Sequence, residues 1–296
     1  MIDLISIILL YTAFVFGWNN SGIVTGSITS TGFIYKKAII IAILGFLLGF
    51  YLEGGKMSSV LLDISNTELN IQFIITSIIL TIFSLLGLPI SMVNILIGSH
   101  IGFALGMNTI INTNQLYNIV TSWLITPLLA IFASISFYII LTNILKRFSL
   151  LSVNKFYGIS MPLLTFYTSY TLAANNIGLL YTNNLTFFLL PLASIIGIIK
   201  GKKTALFVSE GVVGHSQATI FSSLLASSLL LWIFTQFAIP LSLSQLLLAS
   251  LFGVNLYRRP IVYNKTRMFM LIASWIGSTL VSILLAYLST FLLGSL

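Results

Sequence analysis

The chain has 296 residues, of which 58% are hydrophobic and only 6% charged, whereas a soluble globular domain carries about 25% charged residues. This composition excludes an ordinary soluble fold and makes the lipid bilayer the expected surroundings of the protein. The net charge of +8 comes from short Lys and Arg clusters between apolar runs. That pattern is typical of the loops of a membrane protein and argues against a nucleic-acid partner.

Apolar stretches long enough to cross a bilayer occur along the whole chain. Residues 4–17 predict a first span that is retained, because Asp3 stands where a signal peptide would have basic residues. A crossing helix needs roughly 20 apolar residues, and such runs without interior charges lie at 70–87, 117–145, 218–239 and 268–293. Because these runs lack strict alternation, they favour helices over a barrel. The sequence predicts an all-α polytopic protein, multi-pass in the cell membrane, with about 10 to 12 membrane helices or half-helices.

The chain repeats its own landmarks in the same order and at nearly constant spacing. The repetition predicts two transmembrane halves, residues 1–150 and 151–296, which meet in a basic loop. The number of spans in each half decides whether the second half is inverted, and the basic clusters leave that open. The paired landmarks are Asn19-Asn20 with Asn175-Asn176, Glu53-Gly54 with Glu210-Gly211, Leu88-Pro89-Ile90-Ser91 with Ile239-Pro240-Leu241-Ser242, and Ser122-Trp123 with Ser274-Trp275.

An asparagine pair interrupts an apolar run in each half. Because Asn and Gly favour departure from helical geometry, we expect discontinuous helices with unwound centres, together with re-entrant segments such as 204–216. Half-helices that start at a break would direct free amides at a desolvated oxyanion, and hydroxyl groups would add donors. The alternative is an ordinary loop whose side chains are bonded locally. The candidate substrate ligands are Asn19, Asn20, Ser21, Thr25, Ser27, Asn175 and Asn176.

A Pro-x-Ser segment also recurs in both halves. Proline is favoured in the first turn of a helix, so we predict helices that start at Pro89 and Pro240 and carry Ser91 and Ser242 in their early turns. These two N-termini would add Ser91 and Ser242 to the anion site if they lie near the membrane centre. The alternative is a pair of interfacial prolines next to locally bonded hydroxyl groups.

Glu53 and Glu210 are the ionisable residues that we expect within the membrane region. Burial of a carboxyl group there is costly, so a functional role in coupling is the first hypothesis, and a position at the interface is the alternative. The chain has no metal-ligand spacing and no cofactor motif. Ser99-His100 and His215-Ser216 are sequence neighbours that point in different directions on a helix, so they do not predict an enzyme.

The paired motifs resemble those of the inorganic phosphate transporter (PiT) family, whose halves each carry Gly-x-Asn-Asp-x-x-Asn and, later, Gly-Leu-Pro-Val-Ser-Thr-Thr-His. Gly17-Trp18-Asn19-Asn20 matches the start of the first motif in three of four places, and Gly87-Leu88-Pro89-Ile90-Ser91 matches the second. The resemblance implies inverted repeats with phosphate held between them at the broken helices. It also implies that signature Asp and Asn residues help to bind sodium.

The chain departs from this family at the signature aspartates, because Asn20 and Asn176 stand in their place. Sodium prefers charged oxygen ligands, so both sodium and a proton remain open as the coupling cation. We expect a secondary transporter that moves phosphate, or a related oxyanion such as sulfate, by alternating access in symport with that cation. The alternative function is a non-transporting membrane subunit that retains the fold, and a homodimer remains open.

Overall fold

The computed structural model describes residues 4–58, 60, 66–107, 113–180, 184–209, 216–258 and 265–293, and these residues are mostly helical, with no strand among them. Glu210 and His215 lie outside this set. The helices of the first half are α1 (Leu4–Ser21), α2 (Ser27–Thr29), α3 (Tyr35–Glu53), α4 (Asn66–Leu86), α5 (Met92–Met107) and α6 (Thr113–Leu145). Those of the second half are α7 (Leu150–Asn176), α8 (Asn184–Lys200), α9 (Lys202–Ser209), α10 (Gln217–Gln236), α11 (Leu243–Arg258) and α12 (Lys265–Leu293).

Six helical segments of the described chain are long and apolar enough to cross a membrane. Large apolar side chains such as Leu124 and Phe132 are exposed on their outer surfaces, as expected for a protein whose solvent is lipid. The chain is therefore a multi-pass membrane protein, and each of the four long apolar runs identified in the sequence coincides with one of these segments. They are Leu4–Thr29, Tyr35–Met57, Leu69–Leu86, Leu116–Leu145, Gln217–Gln236 and Phe269–Phe291.

The first asparagine pair does not lie in an unwound region, and that expectation is wrong. Helix α1 continues through Asn19 and Asn20, then widens into a π-helical segment at Gly22–Gly26 and returns to α geometry in α2. The hydroxyl groups of Thr25 and Ser27 donate back to the carbonyl oxygens of Ser21 and Ile23. These bonds satisfy backbone groups at the widened turn, so the chain stays helical inside lipid.

The second asparagine pair ends its helix. Asn175 and Asn176 are the last two residues of α7, and a 3₁₀ turn at Ile177–Leu180 follows directly. The two pairs therefore occupy equivalent places, at the end of a long buried helix, with different local continuations. Both are fully or almost fully buried.

Glycines let helices of the two halves approach closely. Helix α1 packs along α8, and α3 packs along α7. A Cβ atom added to Gly17 would lie 1.9 Å from the carbonyl oxygen of Ser194, and one added to Gly49 would lie 2.0 Å from that of Tyr170. Close backbone approach at small residues is the usual means of helix association in membranes, because lipid provides no hydrophobic driving force between helices.

The last helix of each half packs against the other half. Helix α12 lies along α5 and also contacts α4, whereas α6 lies along α11 and α10. The two resulting bundles, α4 with α5 and α12, and α10 with α11 and α6, therefore each contain helices from both halves. This exchange places the ends of α4 and α10, and the starts of α5 and α11, beside a helix that is distant in sequence.

Candidate functional site

Asn19 holds the turn that contains Pro89. Its side-chain nitrogen donates to the carbonyl oxygen of Leu88 (2.9 Å) and to Ser84 Oγ (3.1 Å), and its side-chain oxygen accepts from the amide of Ile90 (2.8 Å). Asn19 is fully buried. Both N–H groups of the side-chain amide are thereby used, and its nitrogen and oxygen contact the residues on the two sides of Pro89.

Asn175 makes the same three contacts around Pro240. Its nitrogen donates to the carbonyl oxygen of Ile239 (3.1 Å) and to Thr235 Oγ1 (2.9 Å), and its oxygen accepts from the amide of Leu241 (2.9 Å). We call each of these two arrangements an asparagine clamp. The clamps join the two motifs that the sequence repeats, although about 65 to 70 residues separate the partners in each half.

The prolines lie before the helices and not in their first turns, so the predicted helix starts are wrong by a few residues. Helices α5 and α11 begin at Met92 and Leu243. Ser91 Oγ accepts from the amide of Asn94 (3.2 Å), and Ser242 Oγ accepts from the amide of Gln245 (3.4 Å). The two serines are therefore N-caps, whose hydroxyl oxygens satisfy amides that the helix leaves unpaired.

A tryptophan from the opposite half contacts each proline. Trp123 of α6 donates its indole N–H to the carbonyl oxygen of Pro240 (3.2 Å), and Trp275 of α12 donates to that of Pro89 (3.3 Å). The last helix of each half, which carries the repeated Ser-Trp pair, thus contacts the proline turn of the opposite half. The indoles and the asparagine clamps together hold the starts of α5 and α11.

One residue near the start of α5, Asn94, and one near the start of α11, Gln245, line a common space between α6 and α12. A cavity of about 260 Å³ is lined by residues of all four helices, and an adjoining cavity of about 400 Å³ extends between α6, α11 and α12. Trp123 and Trp275 line both cavities. The residues that line the smaller cavity are Asn94, Trp123, Gln245, Ile272, Trp275, Ile276, Thr279 and Leu280.

Asn94 and Gln245 supply the side-chain amides at this space. Asn94 is only 5% exposed, and its side-chain oxygen accepts from the hydroxyl of Ser91 (2.8 Å). Among the described residues, none accepts a hydrogen bond from the amide nitrogen of Asn94 or pairs with the side-chain amide of Gln245. Both nitrogens are neutral donors, a kind of group that can hold an anion without burying a cation.

The remaining predicted ligands have local partners. Asn20 donates to the carbonyl oxygen of Phe16 one turn earlier, and Ser21 donates to the carbonyl oxygens of Trp18 and Gly201. Asn176 donates to Asn175 Oδ1 and to the carbonyl oxygen of Leu241, so it joins the second clamp. The structure thus brings Asn175 and Asn176 close to Ser242, and Asn19 close to Ser91. Ser21 contacts the turn just before α9 through Gly201, and Thr25 and Ser27 donate to carbonyl oxygens of their own helical segment.

Glu53 ends α3 inside a polar cluster. Its carboxylate accepts from Trp232 Nε1 (3.2 Å) and Gln236 Nε2 (2.9 Å) of α10, and Lys56 Nζ lies 3.5 Å from it. Gln236 follows Thr235 directly, so this cluster adjoins the second asparagine clamp. Glu210, the other predicted coupling residue, lies outside the described residues.

Sequence reasoning did not assign Asn94, Gln245, Trp123 or Trp275 to the site. Asn94 and Gln245 occupy equivalent positions, five residues after their prolines, and this shared offset with a shared amide is a signal that could have found them. Trp123 and Trp275 were recognised only as markers of the repeat. Each tryptophan contacts the proline turn of the opposite half. Aligning one half with the other does not reveal contacts between the halves.

A model described as the phosphate transporter family matches residues 16–194, more than half of the chain. The chain belongs to the phosphate transporter family. The match includes the first asparagine clamp, the Pro89 turn, Trp123 and the asparagine pair of the second half.

Two known proteins are similar to this chain. A protein of Methanocaldococcus jannaschii, described as a candidate phosphate permease, is 32% identical over 124 residues, which cover 40% of each chain. A solved structure of a sodium-dependent phosphate transporter superposes with a TM-score of 0.79 at 16% identity, over 99% of this chain and 100% of that chain. This second likeness shows that the chain shares the fold of that solved structure.

Proposed function

We propose that this protein is a secondary transporter that moves inorganic phosphate across the cell membrane in symport with a cation. The observation that carries the proposal is the convergence of two equivalent helix starts, α5 and α11, on one cavity that the side-chain amides of Asn94 and Gln245 line. Each start is held by an asparagine clamp. Family membership supports phosphate as the substrate, and sulfate is the related oxyanion to compare with it.

The proposed binding site combines helix N-termini with neutral side chains. Capped helix starts direct backbone amides and the positive end of the helix dipole at an anion. Ser91 and Ser242 lie at these starts, and Asn94 and Gln245 add amide donors within the next turn. Asn20 and Asn176, which neighbour the clamps, complete the proposed set together with the clamp residues Asn19 and Asn175.

The duplicated arrangement supports the proposal of transport by alternating access. We propose that the halves 1–150 and 151–296 are inverted repeats and that the oxyanion lies between them. The paired clamps, the paired caps and the reciprocal packing of α6 and α12 support this proposal. In transporters built from inverted repeats, the substrate site lies at the interface of the repeats near the middle of the bilayer.

Glu53 is the proposed coupling residue within the described chain, and Glu210 is its proposed counterpart in the second half. The carboxylate of Glu53 can hold a proton or attract sodium. Its contacts with Trp232 and Gln236 connect it to the helix that carries Thr235. A change of charge at Glu53 would therefore act on the second clamp through one short stretch of α10.

Uptake of labelled phosphate into proteoliposomes, with sodium and proton gradients imposed separately, tests this function. We expect saturable uptake that one of the gradients drives, and loss of that uptake in the double variant Ser91→Ala, Gln245→Leu. Uptake of labelled sulfate, measured in parallel, shows which of the two oxyanions is transported. If neither anion enters above the level of empty liposomes under either gradient, the chain is a non-transporting member of the fold and the proposal is wrong.

A further inference from the structure

Several backbone groups next to each proline have defined partners, and one of these partners comes from the opposite half. Leu88 N–H donates to the carbonyl oxygen of Phe83 (2.9 Å), and Asn19 pairs with Leu88 O and Ile90 N–H. Pro89 has no N–H, so its carbonyl oxygen is the one polar backbone group of that residue. Trp275 supplies its donor.

The second turn repeats this pattern. Ile239 N–H donates to the carbonyl oxygen of Phe234 (3.0 Å), and Asn175 pairs with both sides of Pro240. Trp123 donates to the carbonyl oxygen of Pro240. A buried carbonyl without a partner costs free energy, so each turn depends on an indole carried by the last helix of the other half.

Each indole contact also connects a proline turn to the helix that packs along α5 or α11. Trp275 lies on α12, which packs along α5, and Trp123 lies on α6, which packs along α11. Both indoles line the cavity that Asn94 and Gln245 face. An indole that fixes the carbonyl of the proline also fixes the direction in which the following cap and first helical turn face that cavity.

We propose that Trp123 and Trp275 are positioning residues that act crosswise: Trp275 orders the start of α5, with Ser91 and Asn94, and Trp123 orders the start of α11, with Ser242 and Gln245. This inference rests on the proposed function where it concerns phosphate. The ordering of the turns is a property of the folded protein and can be measured without transport.

Hydrogen exchange measured by mass spectrometry on the full chain in nanodiscs tests the crosswise assignment. We expect Trp275→Phe to accelerate amide exchange in residues 88–96 by roughly three- to tenfold while 239–247 stays unchanged. Trp123→Phe should do the reverse. The matched control is Phe132→Leu, since Phe132 is 68% exposed on the outer face of α6, and it should leave both segments unchanged.

Replacement of each tryptophan by 3-benzothienylalanine serves as the second variant, because it keeps the shape of the ring and removes only the N–H donor. Acceleration on the crosswise segment supports the proposal. Acceleration confined to the helix that carries the substitution, equal acceleration of both segments, or no change overturns it.

Phosphate uptake by the same variants separates positioning from general damage. We expect the KM for phosphate to rise about three- to tenfold with Vmax within about twofold, because the donors remain present but are less well ordered. A fall in Vmax alone would contradict the positioning role. If wild-type protein shows no uptake while the exchange pattern is crosswise, the proposed function fails and the positioning role stands.

Discussion

The side-chain oxygen of Asn175 accepts the amide hydrogen of Leu241 at 2.9 Å, and Asn19 accepts that of Ile90 at 2.8 Å. Each asparagine thereby takes the place of a backbone partner that the proline turn cannot provide. The two clamps share this geometry, so the first role of each asparagine is to hold its proline turn. Any effect of the asparagine on a bound anion would follow from the position of that turn.

Asn175→Ala is expected to lower the thermal stability of the purified protein. The substitution leaves Leu241 N–H and Ile239 O buried without partners, at roughly 1–3 kcal/mol for each group. Fluorescence-detected size-exclusion chromatography after heating measures the change. Thr235→Val removes only one contact of the clamp and should cost less, and Leu163→Ala on the exposed face of α7 should cost little. Equal stability of Asn175→Ala and wild type would mean that the clamp is not needed for the turn.

Gly49→Ala is expected to disturb the packing of α3 on α7. The new Cβ would lie 2.0 Å from the carbonyl oxygen of Tyr170, a backbone atom that cannot move alone, and overpacking of this kind costs about 1–3 kcal/mol or more. Gly158→Ala on α7 is the matched control, since its Cβ would meet nothing within 4 Å. Thermal unfolding in detergent should separate the two variants. Similar melting temperatures would show that α3 and α7 can separate without loss of stability.

The chain contains no cysteine, so single cysteines can report on the proposed anion site without a modified background. In Ser91→Cys and Ser242→Cys, we expect a small charged thiol reagent to react slowly and phosphate to slow the reaction further. The physical reason is that both serines are only 4% exposed and cap helices that face the cavity. Asn154→Cys, on the exposed surface of α7, should react quickly with or without phosphate. Protection at Asn154→Cys equal to that at Ser91→Cys would contradict a local site.

Glu53→Gln is expected to abolish the response of phosphate uptake to the coupling gradient while leaving the folded protein intact. The variant retains an oxygen that can accept from Trp232 but removes the charge that could hold a cation. Lys56→Met, which removes the ion pair at 3.5 Å and keeps the carboxylate, should still respond to the gradient. Uptake into proteoliposomes under imposed gradients compares the two. A gradient response that survives in Glu53→Gln would assign coupling elsewhere.

Long apolar runs were sufficient to predict the helical membrane fold. The runs 117–145 and 268–293 coincide with α6 and α12, because a helix satisfies its backbone groups within one continuous apolar segment. The repeated asparagines and prolines were predicted to lie around one central site, and the structure joins Asn19 to the turn of Pro89 and Asn175 to the turn of Pro240. Composition and spacing carry this information because they reflect local requirements of the chain.

The details of the site depended on tertiary contacts that spacing does not encode. Asn19 was expected to interrupt α1, yet its side chain reaches a turn that lies about 70 residues further along the chain, and the helix continues. The crosswise contacts of Trp123 and Trp275 were equally hidden, because each pairs with the motif of the other half. Asn94 and Gln245 share an offset of five residues from their prolines, but this offset does not show that both line one cavity between four helices.

The reciprocal packing of α6 and α12 has a consequence for biosynthesis. When residues 1–150 have left the ribosome, α6 has been made, but its partners α10 and α11 have not. Residues 1–150 therefore lack part of their packing at that point, and α12 can pack along α5 only after residues 265–293 have been synthesised. Neither residues 1–150 nor residues 151–296 can reach this packing alone, because α6 and α12 each pack against helices of the other segment.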